Sequence, residues 1–185
     1  GIRALGSDVH VSDVRVTVAA PGAVGINASG ARAFVRRCSV SRPVGPDPST
    51  EFGIFTQGVG AVIEDCTASG FEFGIYAGRS AVVAGCRASD CGIGIFLTQN
   101  TSVSDSTAER NGTGFYLVSN TVARGCVARD NDLGFRVDDG SVVTSCEARL
   151  NESGFFAYGS LVQDCVAADN ATDGISASDG SVVRR

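Results

Sequence analysis

Apolar residues in this chain come in short alternating bursts, not in long stripes. In Gly114-Phe115-Tyr116-Leu117 the alternation puts Phe115 and Leu117 on one face and Tyr116 on the other, and Cys126-Val127-Ala128 repeats the pattern. A period of two over three or four residues, closed off by Gly, Asn, Asp or Ser, predicts short strands joined by tight turns. No segment carries a 3.6-residue stripe long enough to predict a helix. The bursts also recur in phase. Gly followed by Ile or Phe stands at Gly1, Gly25, Gly53, Gly74, Gly94, Gly114, Gly134, Gly154 and Gly174, with spacings of 24, 28, 21 and then 20 five times. Such self-similarity predicts a solenoid, because one coil cannot bury its inner face alone and must stack on the next. Nine coils at about 4.8 Å each would make a rod of roughly 40 Å.

Other columns keep the same phase. Cys38, Cys66, Cys86, Ser106, Cys126, Cys146 and Cys165 form one, with Val14 in its place in the first coil. Two residues further on come Ala68, Ala88, Ala108, Ala128, Ala148 and Ala167, preceded by Val16 and Val40, and then a turn column of Cys91, Asn111, Asn131, Asn151 and Asn170. A valine pair such as Val82-Val83 or Val142-Val143 precedes the Cys position. The Gly-Ile/Phe strand, the Val-x-x-Cys-x-Ala segment and the Asn turn together resemble the parallel β-helix repeats of the pectin-lyase-like superfamily over essentially the whole chain. The resemblance implies an all-β fold: a right-handed parallel β-helix, a single-stranded solenoid of about nine coils of roughly 20 residues. Left-handed hexapeptide helices and pentapeptide solenoids fit poorly, since no six- or five-residue sub-period is present.

We expect a single β-helix domain over residues 1–185, forming part of a longer chain because neither end shows a recognisable polar cap. The large insertion from Ser41 to Phe52, with Pro43, Pro46, Pro48, Asp47 and Glu51, is expected to project as a loop (41–52) beside the start of the candidate surface.

Asparagine tolerates the left-handed backbone of a sharp turn, and stacked amides can bond up and down the rod, so the Asn column reads as an asparagine ladder. The seven cysteines read as small buried groups. Their number is odd, in-register side chains point the same way, and Val14 and Ser106 share the column, all of which argue against disulfides. With no Cys-x-x-Cys pair and His10 as the one histidine, neither a metal nor another cofactor is expected. No repeated Asp column suggests a dedicated Ca²⁺ site either.

The residue after each Gly-Ile/Phe pair should point outward. Reading along the rod gives Arg3, Asn27, Phe55, Tyr76, Phe96, Tyr116, Arg136, Phe156 and Ser176. An exposed stripe of aromatic rings, with Arg136 placed between Tyr116 and Phe156 for a cation–π contact, suits a sugar ring or another protein chain. Stacked cross-strand aromatics that stabilise one another are the plainer reading. The candidate ligand-binding residues are therefore Phe55, Tyr76, Phe96, Tyr116, Arg136 and Phe156. The resemblance also brings in polysaccharide lyases, glycoside hydrolases and epimerases. Hydrolysis needs paired carboxylates and a lyase needs a base with a neutralising cation. The weak candidates are Arg136, Asp138 and Asp139, with Asp179 further along, although Asp138-Asp139-Gly140 is also an ordinary turn sequence. His10, flanked by Val9 and Val11, cannot supply the Asp-Pro-His motif of alginate-epimerase-like members.

Composition narrows the partners. Hydrophobic residues make up 43% and charged residues 19%, as in a folded domain. The net charge is −5, Lys is absent and the 15 Arg form no basic cluster, which argues against nucleic acid. No apolar run is long enough to span a bilayer. The leading expectation is a non-catalytic β-helical surface or scaffold module that binds a glycan or a partner protein through the aromatic stripe. The alternative is a lyase or epimerase acting on an acidic polysaccharide. The resemblance implies an extracellular or cell-surface location, and oligomeric state is left open.

Overall fold

The computed structural model describes residues 1–20, 22–43 and 51–185. Its strands form three parallel sheets of nine, nine and eight strands, and each strand inside a sheet pairs with its equivalent one coil before and one coil after. In the sixth coil the three are Thr113–Leu117, Val122–Arg124 and Val127–Arg129. This is the expected right-handed parallel β-helix. Of the insertion expected at 41–52, Ser41 ends one strand and Phe52 begins another, while residues 44–50 lie outside the described residues. Among the described residues no helix is long and apolar enough to cross a membrane.

Register turns the sequence columns into stacks. In the first sheet Ile75, Ile95, Phe115, Phe135 and Phe155 stand directly over one another and are fully buried. The three Phe rings stack at 4.8 Å with interplanar angles of 6° and 8°. Coil spacing and ring spacing coincide, so a Phe can repeat here without leaving a void. The Gly before each of these residues is required by close approach. A Cβ at Gly94 would lie 2.7 Å from the Gly114 carbonyl oxygen and 2.9 Å from Asn111 Nδ2.

Two polar columns run inside the core wall. In one, Asn111 Nδ2 donates to Asn131 Oδ1 at 3.0 Å and to the Ala88 carbonyl at 3.3 Å, and Asn131 and Asn151 repeat the pattern. Cys91 sits at the head of this column, where its backbone N–H donates to Asn111 Oδ1 at 3.0 Å. In the other, the thiols do more than fill space. Cys66 Sγ donates to the Glu64 carbonyl at 3.1 Å, and the Cys126 N–H donates to Cys146 Sγ at 3.3 Å. Ser106 makes the same two kinds of bond, to the Ser104 carbonyl at 2.8 Å and from the Cys86 N–H at 3.1 Å. All seven cysteines are free thiols. Burial pushes the Cys91 thiol up to about 11, and the hydrogen bond with Cys126 leads the causes that lift Cys146 to about 12. Both are protonated at neutral pH and are poor nucleophiles.

Candidate glycan-binding surface

The outer face of the first sheet carries the predicted column in register: Phe55, Tyr76, Phe96, Tyr116, Arg136 and Phe156 pair one with the next. They are not equally available. Phe55–Tyr76, Tyr76–Phe96 and Phe96–Tyr116 meet at centroid distances of 5.0, 5.2 and 5.1 Å with tilted or edge-on geometry. Phe52 and Phe73 join them, stacked on each other at 5.1 Å and packed against Phe55 and Tyr76. This cluster shields itself, and its rings are half-buried. Arg136 closes its end with the guanidinium carbon 4.6 Å from the centre of the Tyr116 ring.

Strict alternation would turn Phe52 and Phe73 inward, and it missed them. Gly74 and Ile75 are both buried, so Phe73 and Tyr76 emerge on the same side three residues apart. The phase signal was present, since both residues precede the repeated Gly.

Phe156 differs from the other rings because its partners are small or engaged elsewhere. It pairs with Ser176 on one side and Arg136 on the other, and 38% of it is exposed. Two residues on, Tyr158 is 46% exposed and points the same way, as the Phe156-Ala157-Tyr158 alternation could have shown.

The candidate Asp138 follows Arg136 on the same strand and is buried, and Arg136 Nε donates to its Oδ2 at 2.9 Å. Its Oδ1 makes no hydrogen bond of normal geometry among the described residues. Burial raises the neighbouring Tyr116 hydroxyl above its ordinary pKa, with Arg136 opposing the shift and Asp138 adding to it. Asp139 occupies the exposed left-handed turn that follows, with φ 54°. Asp179, another left-handed turn residue, lies two coils on.

Two shallow recesses flank Phe156. One, of about 300 Å³, is lined by Arg136, Asp138, Asp139, Phe156 and Tyr158. The other, of about 370 Å³, includes Asp132, Leu133, Ser153, Asp173 and Ser176 around the same ring. A third, of about 440 Å³, lies beside Tyr76 and is bordered by Arg79, Thr98 and Gln99. His10 is on the second sheet, where it touches Phe34 with ring centroids 5.4 Å apart. Among the described residues no group of His, Cys, Asp and Glu converges as a metal site.

No match to a curated protein sequence was found. Among solved structures the chain is similar to a tailspike protein of E. coli bacteriophage HK620 in complex with a pentasaccharide, with TM-score 0.61 and 10% identity over 94% of this chain. It spans 42% of that tailspike chain. It is also similar to the A-module of the Azotobacter vinelandii mannuronan C-5 epimerase AlgE4, with TM-score 0.51 and 14% identity over 90% of this chain and 70% of that one. At these identities the likeness is one of fold. Residues 1–184 match the family model described as the right-handed β-helix region, and the chain belongs to that family.

Proposed function

We propose that this chain is a non-catalytic glycan-binding β-helix module, acting outside the cell or on its surface, whose ligand rests on Phe156. The observation that carries the reading is an exposed, uncovered aromatic ring with a carboxylate-bearing recess on each side. Pyranose rings present an apolar C–H face and a rim of hydroxyls, and a bare ring beside carboxylates and hydroxyls offers a complement to both. Structures on this fold that hold a pentasaccharide or are named for mannuronan lend support. A lyase or epimerase centred on Arg136, Asp138 and Asp139 is disfavoured, because Asp138 already takes up the Arg136 charge at 2.9 Å. A lyase needs that cation to neutralise its substrate.

The test is affinity for a panel of polysaccharides, read for wild type and Phe156→Ala while unsaturated-sugar absorbance is followed in the same wells. The reading expects binding that weakens at least tenfold in the variant, about 1.4 kcal/mol, with flat absorbance. Rising absorbance would make the chain a lyase.

A further inference from the structure

Resting on that reading, we infer that the glycan is uncharged and crosses the rod along the strand direction, with Phe156 at its centre. Direction comes first. The two recesses share Phe156 and lie at opposite ends of its strand, one toward Ser153 and the other toward Tyr158. That strand has six residues and spans roughly 17 Å at about 3.3 Å per step, a length suited to a short oligosaccharide. Along the rod axis the platform is interrupted. Arg136 stands next to Phe156 and is held between Asp138 and the Tyr116 ring. Beyond it Tyr116 and Phe96 meet at 70°, so they offer no continuous flat surface.

Charge gives the ligand class. Asp138 and Asp139 line one recess, Asp132 and Asp173 the other. The one cation among the residues lining them, Arg136, is paired with Asp138. An uronate or sulfate here would meet uncompensated like charge in both recesses, whereas a sugar hydroxyl would find an acceptor. Asp138 is itself buried and engaged by Arg136, so the acceptors open to a ligand hydroxyl are the exposed carboxylates of Asp139, Asp132 and Asp173.

The experiment titrates the full chain with neutral β-glucan, galactan and chitooligosaccharides, and with polygalacturonate and alginate, at low salt. Variants are Phe156→Ala, Tyr158→Ser, Asp173→Ala and Arg79→Ala, all at exposed side chains, with circular dichroism confirming the fold. Expected are binding of a neutral glycan, a loss of at least tenfold in Phe156→Ala, a several-fold loss in both Tyr158→Ser and Asp173→Ala, and no change in Arg79→Ala. A loss in Arg79→Ala without one in Asp173→Ala makes the ligand axial and overturns the inferred direction. Tighter Phe156-dependent binding of an acidic polymer overturns the inferred charge class and leaves the glycan-binding reading standing. Binding indifferent to Phe156→Ala, or absent for every glycan, overturns both.

Discussion

Arg110 occupies a left-handed turn with φ 53° and reaches back one coil to Asp90, Nε to Oδ1 at 2.9 Å and Nη2 to Oδ2 at 3.1 Å. Arg32 with Asp8 and Arg37 with Asp13 repeat the arrangement at 2.6 and 2.7 Å. Left-handed backbone is unfavourable for a residue with a long side chain. In these three places the turn is occupied by an Arg whose planar fork matches the carboxylate one coil earlier.

Leu150 breaks that rule. It has φ 57°, is 53% exposed, and has no polar head to place, although Asp130 occupies the equivalent turn of the coil before. Leu150→Gly should raise stability by about 1 kcal/mol by relieving the left-handed backbone. Leu150→Arg should gain a smaller amount, about 0.5 kcal/mol, through a pair with Asp130. Urea midpoints at unchanged slope measure both, and a midpoint that falls in both variants would show that Leu150 holds the turn for another reason.

Asn131 accepts from the Asn111 N–H and Nδ2 and donates to Asn151 and to the Ala108 carbonyl, at 2.9 to 3.2 Å. Asn131→Ala leaves these groups buried and unpaired and should cost roughly 3 kcal/mol. Asn131→Cys should be milder, since Cys91 already occupies this column. Equal losses in the two variants, measured by denaturation, would place the stability in packing and not in hydrogen bonding.

Gly94→Ala would force a Cβ to within 2.7 Å of the next coil's carbonyl, with no flexible side chain to yield. The coils must part, and a loss of about 2 kcal/mol is expected despite the lower entropy of the unfolded chain. Hydrogen exchange of the 93–97 and 113–117 strands should accelerate in the variant. Unchanged protection there would mean that the stack yields more easily than its geometry implies.

Glu109 gives a prediction in pH. Burial alone would raise its carboxyl, but hydrogen bonds from Arg87, Arg129 and Arg110 more than offset this and hold it at about 2, below the ordinary 4.5. Its folded pKa is depressed, so the stability it contributes is fully present above pH 4.5 and is lost as pH falls through about 2. The three guanidiniums are half-exposed, which screens the effect to about 1–2 kcal/mol. Glu109→Gln should start less stable at pH 6 and lose less than wild type between pH 4.5 and 2. Parallel pH curves for the two proteins would remove Glu109 from the acid response.

The columns are legible in the sequence. Counting from the repeated Gly places Phe55 over Tyr76, 21 residues on, and Cys126 over Cys146, 20 residues on, because parallel coils can stack without loss only in register. The thiol hydrogen bonds were not legible. Serine in the Cys column hinted at them, but a small side chain fits a tight stack equally well with or without a partner. The Glu109 ion pairs are not legible in the sequence, because Arg87 and Arg129 lie 22 and 20 residues away and come together only across coils.

The coil count, the inward columns and the line of outward side chains on the first sheet all follow from repeat phase and period-two alternation along the chain. Which of those outward rings is bare is set in three dimensions. Exposure depends on neighbours in other coils and on a departure from alternation: two successive buried residues at Gly74-Ile75 bring Phe73 out beside Tyr76. Ser176 and a guanidinium already engaged by Asp138 leave Phe156 uncovered. Phase along the chain says which residues share a line, while solvent access is set by what fills the space between adjacent lines.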